Sequence, residues 1–103
     1  MSLRRRLRNR RRSETFEIES QGLKFTATFS RFLDGSLAEI FLANHKAGSM
    51  AGINAQDAAV VCSIALQYGV PVDVIRKALM RDTQGRASGP LAAALDLIAE
   101  RSS

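Results

Sequence analysis

"TFEIESQGLKFTATFSRFLDGSLAEIFLAN", residues 15–44, alternates apolar and polar positions with a period of two, and two turn signals interrupt it. Over residues 15–20, Phe16 and Ile18 fall on one face and Glu17 and Glu19 on the other, the pattern of a half-buried strand. Gln21-Gly22 is a turn signal. "LKFTATF" then places Leu23, Phe25, Ala27 and Phe29 on one face, with Lys24, Thr26 and Thr28 opposite. Its β-branched and aromatic residues suit a strand. Asp34-Gly35 is a hairpin-type turn sequence. "LAEIFLAN" sets Ala38, Ile40 and Leu42 against Leu37, Glu39 and Phe41. Both faces are apolar enough to expect a central strand, or one whose second side is partly covered. Three strands joined by short turns predict an antiparallel meander.

Beyond residue 44 the apolar spacing becomes helical. Asn54 followed by Asp57 reads as an N-cap with an acid at the third helical position. The first helix is therefore expected from Ala55 to Tyr68, with Gly69 as the residue that ends it. Gln56, Ser63 and Gln67 fall within about 40° of one another on a helical wheel, and the rest of the circumference is almost wholly apolar. This helix is expected to be the buried one, packed on the sheet. Ser63 and Gln67 lie one turn apart and are expected to satisfy each other; the alternative is that they mark where a partner packs. Pro71 and Asp73 open a second helix, "PVDVIRKALM", with Val74, Ile75, Ala78 and Leu79 as its inner face. Pro90 opens a third, "PLAAALDLIAER", with Leu91, Leu95 and Ile98 in register. Strands first and helices second predict an α+β fold, a three-stranded antiparallel meander followed by about three helices packed on one face.

The 103 residues suit one domain, and a chain of this length buries roughly 65% of its unfolded surface. The formal charge of +5 is unevenly distributed. Residues 4–12, "RRRLRNRRR", hold seven arginines and no acid, whereas residues 13–103 hold eight basic and ten acidic residues. The body is thus mildly acidic, and the basicity belongs to the arm. The expected organisation is a disordered basic arm over residues 1–13 and one α+β domain over 14–103. The one cysteine, Cys62, excludes a disulfide framework and suits a cytoplasmic setting. No apolar run approaches the ~20 residues of a membrane span, so no membrane association is expected.

Three clusters offer binding chemistry. Arg4, Arg5, Arg6, Arg8, Arg10, Arg11 and Arg12 form an arm able to neutralise nucleic-acid phosphates. No aromatic residue interleaves them, so the arm lacks a stacking platform. Lys46 and Ser49, in a Gly-containing loop before a helix start, can hold an anion or nucleotide phosphate. Arg81, Arg86 and Ser88 offer the same in the loop "RDTQGRASGP", which lacks the Gly-Lys-Ser/Thr ending of a P-loop. For each of these two loops the ordinary reading is a connection between elements. No catalytic constellation appears: His45 and Cys62 are single representatives of their types, and Cys62 lies in an apolar helical run. No metal site and no cofactor are expected.

The run "AEIFLANHKAGS" followed by "DAAVVCSIALQYGVPVDVIRKAL" resembles the TSCPD-type C-terminal domain of vitamin B12 (adenosylcobalamin)-dependent ribonucleotide reductases. The matching positions are Glu39, Ile40 and Phe41 in the strand, Lys46, Gly48 and Ser49 in the turn, and Ser63, Ala65, Leu66, Gln67, Gly69, Val70 and Pro71 at the helix end. The upstream "RRRLRNRRR" is similar to the basic linker that leads into that domain, and the resemblance covers residues 4–90. Small stand-alone bacterial TSCPD proteins, with a similar tail after residue 80, are the nearest likeness. The Thr-Ser-Cys-Pro-Asp string that names the family is absent. What the resemblance implies is a fold and a relationship to deoxyribonucleotide synthesis, while the radical chemistry belongs to a barrel domain of the reductase.

The expectation is a small non-catalytic accessory or regulatory module. Its expected partners are a ribonucleotide reductase or another protein, a second copy of itself, or a nucleotide or nucleic acid. The alternative is a nucleic-acid-binding protein acting through the arginine arm. An enzymatic reading would require Cys62 or His45 to be essential.

Overall fold

The computed structural model describes residues 3–7, 12–46 and 48–102. Three strands, β1 (Ser13–Ser20), β2 (Leu23–Arg31) and β3 (Leu37–Asn44), precede three helices, α1 (Met50–Gln67), α2 (Val72–Ala78) and α3 (Pro90–Ser102). The sheet is an antiparallel meander in the order β1-β2-β3. Phe16 stands opposite Ala27, Ile18 opposite Phe25, and Phe29 opposite Ile40, so the apolar halves of the strands share one face. Helices α1 and α3 cover that face with Ala55, Ala59, Cys62, Leu66, Leu91, Ala94, Leu95 and Ile98. The α+β class and the one-sided helix layer follow from this period-two pattern. Leu23 departs from it, at 42% exposed, at the rim of a groove lined by Ala51 and Asn54 of α1 and Pro90 of α3.

Both hairpins close on left-handed residues. Gln21 (φ 54°) and Gly22 (φ 77°) make the first turn, the backbone signs of a tight twisted hairpin. In the second, Gly35 has φ 89°, and the Asp34 carboxylate accepts from the Ser36 amide (2.9 Å) and hydroxyl (2.6 Å). Those bonds hold the Asp34 carboxyl below its ordinary pKa.

β2 is the central strand, and β3 is an edge. Leu37, Ala38, Glu39 and Ile40 are nevertheless all buried, so the expectation of a partly covered second side holds for the first half of β3, while Phe41 is 48% exposed on the outer face. The edge is closed by α1. An antiparallel strand directs both backbone groups of alternate residues to the same side. At Ile40 both groups meet one hydroxyl: the Ile40 amide donates to Ser63 Oγ, and Ser63 Oγ donates to the Ile40 carbonyl, each at 2.9 Å. Gln67 Nε2 donates to the Ala38 carbonyl at 3.2 Å. Two strand residues advance ~6.8 Å and four helical residues ~6 Å, so one turn of α1 spans both edge positions. Ser63 and Gln67 therefore bind the strand rather than each other, which corrects the expectation for that pair. The helix protects the edge as a fourth strand would.

α1 packs on the sheet as expected, through Ala55, Ala59, Cys62 and Leu66, but with two of its polar residues on the inner side. Ser63 and Gln67 point inward while Asn54, Gln56 and Asp57 stay exposed, and Val60, Val61, Ile64 and Tyr68 are left 39–67% exposed. The helix also starts earlier than the Asn54 signal implied. Ser49 is the N-cap, accepting from the Gly52 amide at 3.1 Å, and Asn54 lies inside the helix. Asn44 takes the Lys46 amide at 2.8 Å, which folds the connection tightly enough for the helix to begin at once. Gly52 permits this start, since a Cβ there would lie 3.1 Å from Asn44 Cβ and 3.0 Å from Ser49 Oγ. At the far end Gly69 (φ 97°) closes the helix as expected, with Gly69 N–H to Leu66 carbonyl and Val70 N–H to Ala65 carbonyl both at 3.0 Å.

α2 lies shallower than its sequence suggested. Val74 is 55% exposed and Ala78 is exposed, while Val72, Ile75 and Leu79 pack against the core edge. Seven residues provide barely two turns, and only one narrow stripe reaches α3. In α3, Leu91, Leu95 and Ile98 are buried as expected.

Candidate functional site

The basic arm begins as part of the folded body. The Arg5 amide donates to the Gln67 carbonyl at 2.7 Å, and Arg4 Nε donates to Gln67 Oε1 at 2.7 Å. Gln67 thereby ties the arm to the helix that closes the sheet. The Arg5 guanidinium stacks over the Phe32 ring, 3.6 Å from its centroid, with Asp34 at 3.4 Å. Stacking on a buried aromatic ring is the stronger of these two contacts, because the ion pair is exposed. Arg6 and Arg12 are exposed. Arg8, Arg10 and Arg11 lie outside the described residues.

The two loop clusters are occupied by local structure. The Ser49 hydroxyl caps α1, and Lys46 is an exposed residue whose amide serves the Asn44 turn. Arg81 makes a two-pronged pair with Asp96, Nη1 to Oδ2 at 2.8 Å and Nη2 to Oδ1 at 2.9 Å, and Arg76 Nε reaches the same carboxylate at 3.0 Å. These two guanidinium groups hold the Asp96 carboxyl below its ordinary pKa, Arg81 having the larger effect. Arg86 folds back on Asp82, which also receives the Gln84 and Arg86 amides. The Ser88 amide donates to the Met80 carbonyl, and the Ser88 carbonyl accepts from Gln21.

None of these five residues lines the cleft that stands out in the structure. That cleft, about 510 Å³, opens between the β2–β3 turn, the end of α1 and the faces of α2 and α3. Leu37, Leu66, Val72, Leu95 and Ile98 give it an apolar floor. Arg5, Arg31 and Arg76 stand around it, with Asp73 as the one carboxylate in the lining. Sequence reading passed over Arg31 and Arg76 because each looks like an ordinary surface arginine. They come from a strand end and a short helix 45 residues apart in sequence, and only the packing of α2 on α3 brings them to one cleft.

Cys62 is buried, and burial pushes its thiol pKa up to about 11, which disfavours the nucleophilic thiolate. His45 stands exposed on the outer sheet face, 3.2 Å from Thr26 Oγ1 and 3.9 Å from Glu17. Among the described residues no three His, Cys, Asp or Glu side chains gather as a metal site, and no helix is long and apolar enough to cross a membrane.

A meander closed along its edge by a hydroxyl-bearing helix, with Arg4 and Arg5 docked at that helix's end, defines a small α+β module with a cleft beside them. Comparison with known families is specific about which module it is. The TSCPD domain family matches residues 1–101, and the chain belongs to that family. A curated relative is the vitamin B12-dependent ribonucleotide reductase of Agrobacterium fabrum (strain C58 / ATCC 33970), 36% identical over 70 residues. The match takes in 68% of this chain and 6% of the reductase, so the chain corresponds to a small part of that protein's length. No solved structure matches the chain.

Proposed function

We propose that the chain is a non-catalytic accessory or regulatory module that works by docking on a protein of the B12-dependent ribonucleotide reductase class. The observation that carries this reading is the outward apolar face of α1. Ile53, Val60, Val61, Ile64 and Tyr68 run along it, and Val74 of α2 continues it across an apolar groove floored by Cys62 and Ala65. Asp57 is the one charged residue lining that groove, and an exposed apolar cluster of this kind on a small domain marks an interaction site. The family relationship supplies the choice of partner, and the buried thiol agrees with a role in contact rather than chemistry. The setting implied is the bacterial cytoplasm.

The test is capture of a purified B12-dependent reductase by the tagged chain, comparing wild type with Val61→Asp and Val60→Asp. Both sites are exposed, so the variants should fold. Capture by wild type and its loss in both variants is the expected result. A wild-type chain that captures no reductase refutes the reading, and self-association through the same face would replace it with a homodimer. The exposure of Arg6 and Arg12 supports a second reading, in which the arm contacts nucleic acid. Deleting residues 1–12 should then abolish DNA or RNA binding at physiological salt, and an intact chain that does not bind at that salt rules this out.

A further inference from the structure

We propose that the cleft between the β2–β3 turn and helices α2 and α3 is a binding site for a phosphate monoester carried on an apolar or aromatic body. This goes beyond the protein contact proposed above and involves a different surface. The volume, about 510 Å³, lies within the roughly 300–1,000 Å³ of small-molecule sites. Its floor is aliphatic, with Leu66, Leu95 and Ile98 buried beneath it, and such a floor accepts a ring or an alkyl body but no ionised group.

The ionised part of the ligand is specified by the rim. Three guanidinium groups, those of Arg5, Arg31 and Arg76, stand at the rim, and the one carboxylate in the lining, that of Asp73, pairs with Arg76 at 3.3 Å. A phosphate monoester carries about −1.5 to −2 near pH 7 and three acceptor oxygens, so it can engage more than one of these guanidinium groups at once. Asp34 and Asp96 hold Arg5 and Arg76 from outside the lining and orient them. Arg31 is braced by the Gly35 carbonyl at 3.0 Å. The described contacts leave N–H donors of Arg5 and Arg76 over, and a guanidinium fork matches phosphate oxygens. Gly69, Val70 and Pro71 form the remaining wall.

The arm contributes one of the three cations. Arg5 is held by its own amide on Gln67 and by its stacking on Phe32, so the arm's docked start is a wall of the site. The arm then has a role in the cleft that is separate from any nonspecific attraction of anions by the other arginines.

The test is an amide chemical-shift titration of the nitrogen-15-labelled full chain with naphthyl phosphate. Naphthol, naphthoate and inorganic phosphate are titrated in parallel. The expected result is saturable shifts at Gly69, Val70 and Val72, with naphthyl phosphate binding about tenfold or more tightly than any of the three controls. Arg31→Ala and Arg5→Ala should each weaken that binding about tenfold while the rest of the spectrum stays in place. The spectrum itself reports whether either variant is folded. Absence of saturable shifts at these amides in the wild type overturns the proposal. So does an equal response to naphthoate, or to inorganic phosphate alone. Retained affinity in both arginine variants likewise overturns it.

Discussion

Replacing Ser63 with alanine should open the edge of the sheet. The hydroxyl satisfies the Ile40 amide and the Ile40 carbonyl together, at 2.9 Å each, and Ile40 is fully buried. Alanine fits the same space, so the packing loss is small and the perturbation is the stranding of two buried backbone groups. Each unsatisfied group costs about 1–3 kcal/mol. Alanine's better helix propensity returns about 0.5 kcal/mol. The net loss is therefore about 1.5–5.5 kcal/mol, a large share of the ~5–15 kcal/mol stability of a domain this size. Urea denaturation measures it directly: with a slope of about 2 kcal/mol/M, the midpoint should fall by roughly 1–3 M. Hydrogen exchange supplies the local reading, since the Ile40 amide should lose its protection more than the amides between β1 and β2. Ser63→Thr, which keeps a hydroxyl, should recover part of the loss. A Ser63→Ala variant within about 0.5 kcal/mol of wild type, with the Ile40 amide still protected, would refute the claim that Ser63 closes this edge at Ile40.

Other outcomes follow from the same structure. Because burial raises the Cys62 pKa to about 11 against an ordinary value of 9.0, the folded state holds its proton more tightly than the unfolded state. The stability this contributes is complete below about pH 9 and is lost as pH rises toward 11, with a slope of about 1.4 kcal/mol per pH unit, and denaturation of Cys62→Ala across that range should lack this component. The Asp96 carboxyl is shifted the other way, so the stability it contributes is present above about pH 4 and is lost as pH falls through its lowered folded pKa. Asp96→Asn should cost about 1–2 kcal/mol at pH 7, and its gap from wild type should close on acidification, as followed by denaturation at a series of pH values. Gly22→Ala places a side chain at φ 77°, and thermal unfolding should show a loss of about 1–2 kcal/mol. An unchanged Tm would mean that the turn adopts another conformation.

The strands were legible because the signal for them is local. Phe16, Ile18, Phe25, Ala27 and Phe29 alternate with polar residues, and any sheet that buries one of them on a given face buries the others. The first helix was legible in type and at its glycine end, but its start was misplaced from Ser49 to Asn54. Both residues are good caps, and the choice between them was made by a contact between Asn44 and the first turn that no local pattern encodes. The binding chemistry was least legible. Arg81 and Arg86 looked available in sequence and are engaged by Asp96 and Asp82, whereas Arg31 and Arg76 looked ordinary and line the cleft, Arg76 while also paired with Asp96.

Sequence alone determined the order of elements, the α+β class, the family and the concentration of basic charge in residues 4–12 ahead of a mildly acidic remainder. All four depend on residue types and short spacings. Tertiary structure decided which face of α1 turns inward. By hydrophobicity alone Ser63 and Gln67 belong outside and Val61 and Ile64 inside. The unpaired backbone of β3 is an edge that has no water to bond, and leaving its groups unsatisfied costs more than exposing a few aliphatic side chains. That balance exists only once strand and helix are in contact, and its result is the apolar outer face through which the module is proposed to act.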